Sequence, residues 1–158
     1  KIVFEFILYN CIIGKKIYMT EEWLYQVRIR VSRNLGDAIR SEKLTGTCKK
    51  IYTISLKHGT KPVCTFDAFS QYCKEAERNG IEKYPLYSWT KSVIETPEKK
   101  EKHIKSFAFY RETEQVYPKE LASNLFNDLL PLYKNKLIEN LSLIDNNPKN
   151  NPQPPKNS

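Results

Sequence analysis

Residues 23–31 read WLYQVRIRV, and this stretch decides the fold class of the 158-residue chain. Its aromatic and β-branched residues stand at every second position, from Trp23 to Val31, and alternate with Gln26, Arg28 and Arg30. Side chains of a β-strand point alternately to the two faces of a sheet. The period of two therefore predicts a strand with one buried face and one polar face that carries two arginines.

Helical and strand patterns follow one another along the rest of the chain. Helices are predicted where apolar residues recur at three and four positions behind a capping residue or proline, and strands where they alternate. The patterns predict helices after Ser32 or Asn34, over 68–78, from Pro85 and from Pro118, and strands over 63–66, 104–110 and 115–117.

Residues 49–57 fit two periodicities. The alternation of Tyr52, Ile54 and Leu56 is typical of a strand, whereas Ile51 and Ser55 would share one face of a helix that Gly59 ends. Because β-branched and aromatic residues dominate this stretch, we expect a strand.

The order of these elements predicts an α+β domain, in which an antiparallel sheet of three to five strands packs on helices. This single domain is expected to cover residues 19–144. Residues 145–158 read DNNPKNNPQPPKNS and contain no apolar residue except proline. Since such a segment buries too little apolar surface to offset the entropy of ordering, it is predicted to be a disordered tail.

The segment 1–18 holds an apolar run that leaves three interpretations open. The run is shorter than the roughly 20 residues of a membrane-spanning helix, and no small-residue cleavage site follows it. Because Met19 is the only methionine, residues 1–18 could be translated upstream sequence outside the fold. The alternatives are an N-terminal strand or helix and a membrane anchor; without an anchor we expect a cytoplasmic protein that does not contact membranes.

Neither the cysteines nor the histidines form a motif of known chemistry. No pair among the four cysteines has CxxC spacing, and the two histidines are far apart, so no metal site is predicted. Cys64 and Cys73 fall in predicted core positions, while His58 and His103 fall in segments expected to face solvent. The sequence therefore predicts no catalytic residue, no cofactor and no metal.

Basic residues give one hypothesis about function. The formal charge is +8, and Arg28 and Arg30 share the polar face of the first predicted strand, with Arg33 and Arg40 close by in the sequence. Arginines on a sheet face can follow a phosphate backbone, so these four residues are the predicted nucleic-acid-binding site.

An aromatic cluster gives a second hypothesis. Tyr84, Tyr87 and Trp89 lie within six residues, and exposed tyrosine and tryptophan are enriched at protein interfaces. They are the predicted protein-binding residues. We accordingly expect a non-enzymatic domain that binds a macromolecule or acts as an adaptor, with a protein as partner. The alternatives are an RNA- or DNA-binding protein that uses the Arg28 and Arg30 face, and an enzyme without a recognisable motif.

Overall fold

The computed structural model describes residues 23–157, so every prediction for residues 1–18 lies outside the described residues. The α+β class is confirmed by a four-stranded antiparallel sheet and six α-helices. In chain order the elements are β1 (Tyr25–Arg30), α1 (Arg33–Arg40), α2 (Gly46–Lys57), β2 (Lys61–Cys64), α3 (Thr65–Asn79), a short 3-10 helix (Ile81–Lys83), α4 (Tyr87–Glu95), α5 (Pro97–Ile104), β3 (Ser106–Tyr110), α6 (Lys119–Lys134) and β4 (Asn140–Asp145).

The sheet has the strand order β2-β3-β1-β4, so β1 lies in its interior. Val27 and Ile29 of β1 are at most 2% exposed and belong to the main core. Ile51 of α2 and Leu125 of α6 lie in the same core, which places these helices on this face of the sheet. The predicted alternation of β1 is thus confirmed.

A smaller apolar cluster lies among the helices that follow β2. It contains Phe69 and Tyr72 of α3, Val93 of α4, and Tyr84 and Leu86 of the connection between these helices. Helices α3, α4 and α5 contact one another and contribute side chains opposite the polar face of β1. This arrangement leaves a pocket between the sheet and these three helices.

Strand β1 changes its partner along its length. It pairs with β3 from Arg30↔Ser106 to Arg28↔Ala108, and the next pair in that register would be Val27 with Phe109. Instead, the hydroxyl of Tyr117 accepts a hydrogen bond from the Val27 amide (3.1 Å) and donates one to the Phe109 carbonyl (2.9 Å). The Tyr117 hydroxyl therefore stands in place of a direct ladder hydrogen bond.

Beyond that point the segment 115–117 lies beside β1. The backbones of Tyr25 and Tyr117 exchange two hydrogen bonds, of 2.8 and 2.9 Å, and the Gln26 side chain donates one to the Gln115 carbonyl (2.9 Å). The predicted strand over 115–117 is hence reduced to one bridge with β1. The strands β1 and β3 separate at this end of the sheet, where the pocket is found.

Residues 49–57 form helix α2 and not the expected strand. Cys48, Ile51 and Ser55 are buried, which is the spacing of one helical face, and Leu56 of the alternating set is 70% exposed. The helix ends at Lys57, and the turn after it passes through Gly59, whose φ of 66° suits glycine. Burial of the helical face in the core therefore outweighs the β-propensity of this stretch.

The structure also differs from the prediction of a disordered tail. Asp145 ends β4, and the segment 146–157 lies against the domain. Asn157 holds its far end, because its amide donates to the Pro85 carbonyl (2.7 Å) and its side chain accepts from the Ser88 amide (2.9 Å) and donates to the Tyr84 carbonyl (2.8 Å). Such side-chain to backbone hydrogen bonds order a segment without apolar residues. No helix in residues 23–157 has the length and apolar character needed to cross a bilayer.

Candidate functional site

A pocket of about 250 Å³ lies between the polar face of the sheet and helices α3–α5. Strands β1, β3 and β4 supply its floor, and the helices and the segment 146–157 supply its walls. The described residues that line it are Gln26, Arg28, Thr65, Ala68, Phe69, Trp89, His103, Ala108, Tyr110, Gln115, Val116, Ile144, Asn146, Asn151, Pro152, Gln153 and Pro154.

Arg28 is the one residue with a fixed charge in this lining. Its side chain is accessible to solvent, yet desolvation by the surrounding protein lowers the pKa of the guanidinium, while Tyr110 and Tyr117 act in the opposite direction. Its Nε donates a hydrogen bond of 2.5 Å to Oε1 of Gln26. No carboxylate of the described residues lies within 4.0 Å of the guanidinium. Arg28 thus lines the pocket as a cation to which residues 23–157 supply no counter-charge.

The other three arginines of the predicted nucleic-acid site each face carboxylates. These ion pairs lie on the surface and neutralise much of the charge that the sequence displays. They are Arg30 with Glu139 (3.7 Å), Arg33 with Asp37 (3.2 Å) and Glu101 (2.7 Å), and Arg40 with Asp67 (2.8 Å). Nucleic-acid binding by these residues stays a prediction.

Gln115 lines the pocket and has an unsatisfied side-chain amide. The residue is 2% exposed, and its Nε2 atom is buried without a hydrogen-bond partner. An unpaired buried polar group costs about 1–3 kcal/mol. A ligand with an acceptor atom at this position would recover that cost.

His103 lines the pocket from α5, although the sequence suggested that it faces solvent. Its Nδ1 lies 2.7 Å from the carbonyl oxygen of Lys99. Since a carbonyl only accepts, Nδ1 carries the proton. Burial lowers the pKa of His103; the hydrogen bond to the Lys99 carbonyl opposes this shift, and the charges of Lys102, Arg28 and Lys99 add to it. The imidazole is therefore neutral at pH 7, with a lone pair on Nε2.

Aromatic side chains form one side of the pocket. The ring of Phe69 lies 5.7 Å from that of Trp89, edge to face, and 5.2 Å from that of His103. Tyr110 of β3 adds a fourth ring, and burial raises the pKa of its hydroxyl, which therefore stays protonated. This side offers ring faces and edges to an apolar or aromatic body.

The residues of the predicted protein-binding cluster have three different environments. Tyr84 is 3% exposed, and its hydroxyl accepts from Nδ2 of Asn79 (3.0 Å). The Tyr87 hydroxyl donates to Glu77 at the surface (2.9 Å), and Trp89 lines the pocket. The buried Tyr84 offers almost no surface to a partner, whereas nothing in the structure tests binding through the other two.

Other reactive groups of the described residues give no catalytic arrangement. Cys48, Cys64 and Cys73 are buried as free thiols, which confirms the predicted core positions of the last two. Burial raises the pKa of all three, that of Cys73 to about 11, so they are protonated at pH 7. Within residues 23–157 no three His, Cys, Asp or Glu side chains are close enough to hold a metal ion.

His58 is also outside the pocket. Its side chain is 13% exposed, contrary to the expected solvent-facing position, and its Nε2 lies 2.7 Å from Oδ2 of Asp128. Lys57 binds the same carboxylate oxygen at 2.9 Å. These contacts connect the end of α2 with α6 and have a structural role.

Comparison of the chain with protein-family models, with curated proteins and with solved structures finds no match. The geometry of the pocket is therefore the basis for a functional proposal. Sequence reasoning selected Arg28 and Trp89 of this pocket and missed Gln26, His103, Tyr110 and Gln115. Of these, only Gln26 carried a signal, because it shares the polar face of the predicted strand with Arg28.

Proposed function

We propose that this chain is a non-enzymatic binding domain whose ligand places an anionic group on Arg28 inside the pocket. One observation carries the proposal: Arg28 faces an accessible pocket without a carboxylate partner among the described residues. A partly desolvated guanidinium binds an anion more strongly than a surface one, because water screens the charge less.

The distribution of the other arginines favours a local anion over a nucleic-acid backbone. Binding along a phosphate backbone needs several unpaired cations in a row. Arg30, Arg33 and Arg40 are each ion-paired, so their binding to phosphate would first have to displace a carboxylate. A single anionic group in the Arg28 pocket meets no such competition from a carboxylate of residues 23–157.

Fluorescence of Trp89 is a direct test, since this residue lines the pocket. The chain has two tryptophans, so Trp23→Phe leaves Trp89 as the only reporter. We expect saturable changes in its emission on titration with phenylacetate or inorganic phosphate. Loss of a hydrogen-bonded ion pair with the ligand costs about 1.5–3 kcal/mol, so Arg28→Gln should weaken binding roughly 10- to 100-fold.

Arg30→Gln is the matched control, because Arg30 lies on the same strand but is paired with Glu139. It should leave affinity for the small anions unchanged. An equal loss in both variants would show a general charge effect and contradict the proposal. Tight binding of a labelled single-stranded oligonucleotide, weakened by either variant and steeply dependent on salt, would replace it with the nucleic-acid alternative.

A further inference from the structure

The chemistry of the pocket lining defines its ligand more narrowly than a negative charge does. Resting on the function proposed above, we infer that the pocket binds a small aromatic carboxylic acid that carries a hydroxyl group. The inference depends on four properties of the lining: its charge, its hydrogen-bonding atoms, its aromatic side and its volume.

The charge of the lining matches a monoanion. Arg28 is the only ionised side chain among the described lining residues, which include neither lysine nor a second arginine. Its Nε donates a hydrogen bond to Gln26, so the two terminal nitrogens remain as donors for a ligand. A carboxylate takes up both nitrogens with two oxygens and cancels the single charge. A phosphate dianion would keep an uncompensated charge.

The hydrogen-bonding atoms away from Arg28 match a hydroxyl group. Nε2 of Gln115 is a buried donor that lacks an acceptor. Nε2 of His103 is an acceptor, because Nδ1 carries the proton that is donated to Lys99. A hydroxyl both accepts and donates, so it can use these two neutral groups, whereas a second carboxylate would repel the His103 lone pair.

The walls and the volume match one ring. Phe69, His103 and Tyr110 line the pocket, and aromatic rings attract one another in offset or edge-to-face geometry. A dry cavity of about 150 Å³ accommodates benzene. The pocket has about 250 Å³, which leaves room for a carboxylate and a hydroxyl beside one ring but little for a second ring system.

Calorimetric titration of the full chain with a matched series of ligands tests this inference. The series is 4-hydroxyphenylacetate, phenylacetate, cyclohexylacetate, the neutral alcohol 4-hydroxyphenylethanol, and inorganic phosphate. We expect the affinity to fall in that order for the three acids, by about three- to tenfold at each step, with weaker binding of the alcohol and of phosphate. These steps correspond to about 0.6–1.4 kcal/mol each.

A variant of the hydrogen-bonding side separates the hydroxyl contribution. Gln115→Met removes the amide and keeps an apolar side chain of similar length, so it should abolish the difference in affinity between 4-hydroxyphenylacetate and phenylacetate. Arg28→Gln should weaken all three acids alike. The ligand series on the unmodified chain remains decisive even if the Gln115 variant folds poorly.

The possible failures are distinguishable. Binding of none of the anions would overturn the proposed function and the inference together. Binding of phosphate or cyclohexylacetate as tightly as 4-hydroxyphenylacetate would retain an anion-binding domain and overturn the aromatic hydroxy acid. A hexapeptide with a C-terminal tyrosine that binds more tightly than the free acid would assign the pocket to the end of a polypeptide and also overturn it.

Discussion

Tyr117→Phe removes one buried hydroxyl that links β1 and β3. The substitution tests the contribution of this hydroxyl's hydrogen bonds separately from that of the ring's packing. Tyr117 is 0% exposed, and its ring is part of the main core. Its hydroxyl accepts a hydrogen bond from the Val27 amide and donates one to the Phe109 carbonyl. The substitution keeps the ring and leaves a buried donor and a buried acceptor without partners.

The expected loss of stability follows from these two groups. Each buried backbone group without a partner costs about 1–3 kcal/mol, and the cost is reduced because the hydroxyl itself no longer has to be desolvated. We therefore expect the free energy of unfolding to fall by about 2–3 kcal/mol. In a domain of this size 1 kcal/mol corresponds to roughly 3–5 °C, so the Tm should fall by roughly 6–15 °C.

Urea unfolding followed by circular dichroism measures this change, with an unchanged m-value as the sign that the compactness of both states is retained. Tyr133→Phe is the control, because Tyr133 is 44% exposed and its hydroxyl forms no hydrogen bond with residues 23–157. It should change stability by less than about 0.5 kcal/mol. A loss in Tyr117→Phe no larger than in this control would refute the reasoning, since β1 and β3 would then have closed and formed the direct hydrogen bond.

Two further substitutions and one truncation test the stability of the domain and the wall of the pocket. Gly36→Ala in α1 should raise the free energy of unfolding by about 0.5–1 kcal/mol, because the added Cβ meets its nearest atoms at 3.5–3.7 Å, which is ordinary contact; a lower Tm would contradict this. Deletion of 147–158 should leave the domain folded but make Trp89 more accessible to iodide in a background without the other tryptophan, and unchanged quenching would argue against the segment as a pocket wall. Hydrogen bonds from Lys57 first and His58 second lower the pKa of Asp128, so Asp128→Asn should reduce the free energy of unfolding by up to about 1 kcal/mol at pH 7. This reduction should vanish as the pH falls below 3.8 and through the lowered pKa. Urea unfolding that shows an equal reduction at pH 3 and pH 7 would exclude the ion pair as the cause.

The elements that the sequence predicts correctly are those with a long apolar periodicity whose apolar face packs on the core. The nine residues 23–31, which include β1, alternate, and in α6 apolar residues recur at helical spacing over three turns, as the buried Ala122, Leu125, Leu129 and Leu132 show. Residues 49–57 were assigned incorrectly because both periods fit and the deciding quantity was tertiary. The face with Ile51 and Ser55 meets the core, whereas Leu56 meets solvent.

The pocket was only partly predictable because its atoms come from distant parts of the chain. The polar face of β1 indicated Arg28, but which arginines are neutralised depends on partners such as Glu101 for Arg33, 68 residues away. The unsatisfied amide of Gln115 arises only when its segment lies beside Gln26, 89 residues earlier. Neither spacing leaves a local signal in the sequence.

The stability of the sheet and the shape of the pocket depend on the same interruption. Because side chains alternate along β1, the residues that place Val27 and Ile29 in the core necessarily place Gln26 and Arg28 on the pocket side, and a slip of one residue would exchange the two sets. Where β1 and β3 would otherwise continue to pair, the Tyr117 hydroxyl separates them and the segment 115–117 takes the position beside β1. That segment brings Gln115 to the pocket. If Tyr117→Phe allowed the strands to close, the hydroxyl-dependent part of ligand affinity should decline while binding of the carboxylate to Arg28 persisted, because Arg28 lies in the part of β1 that remains paired with β3.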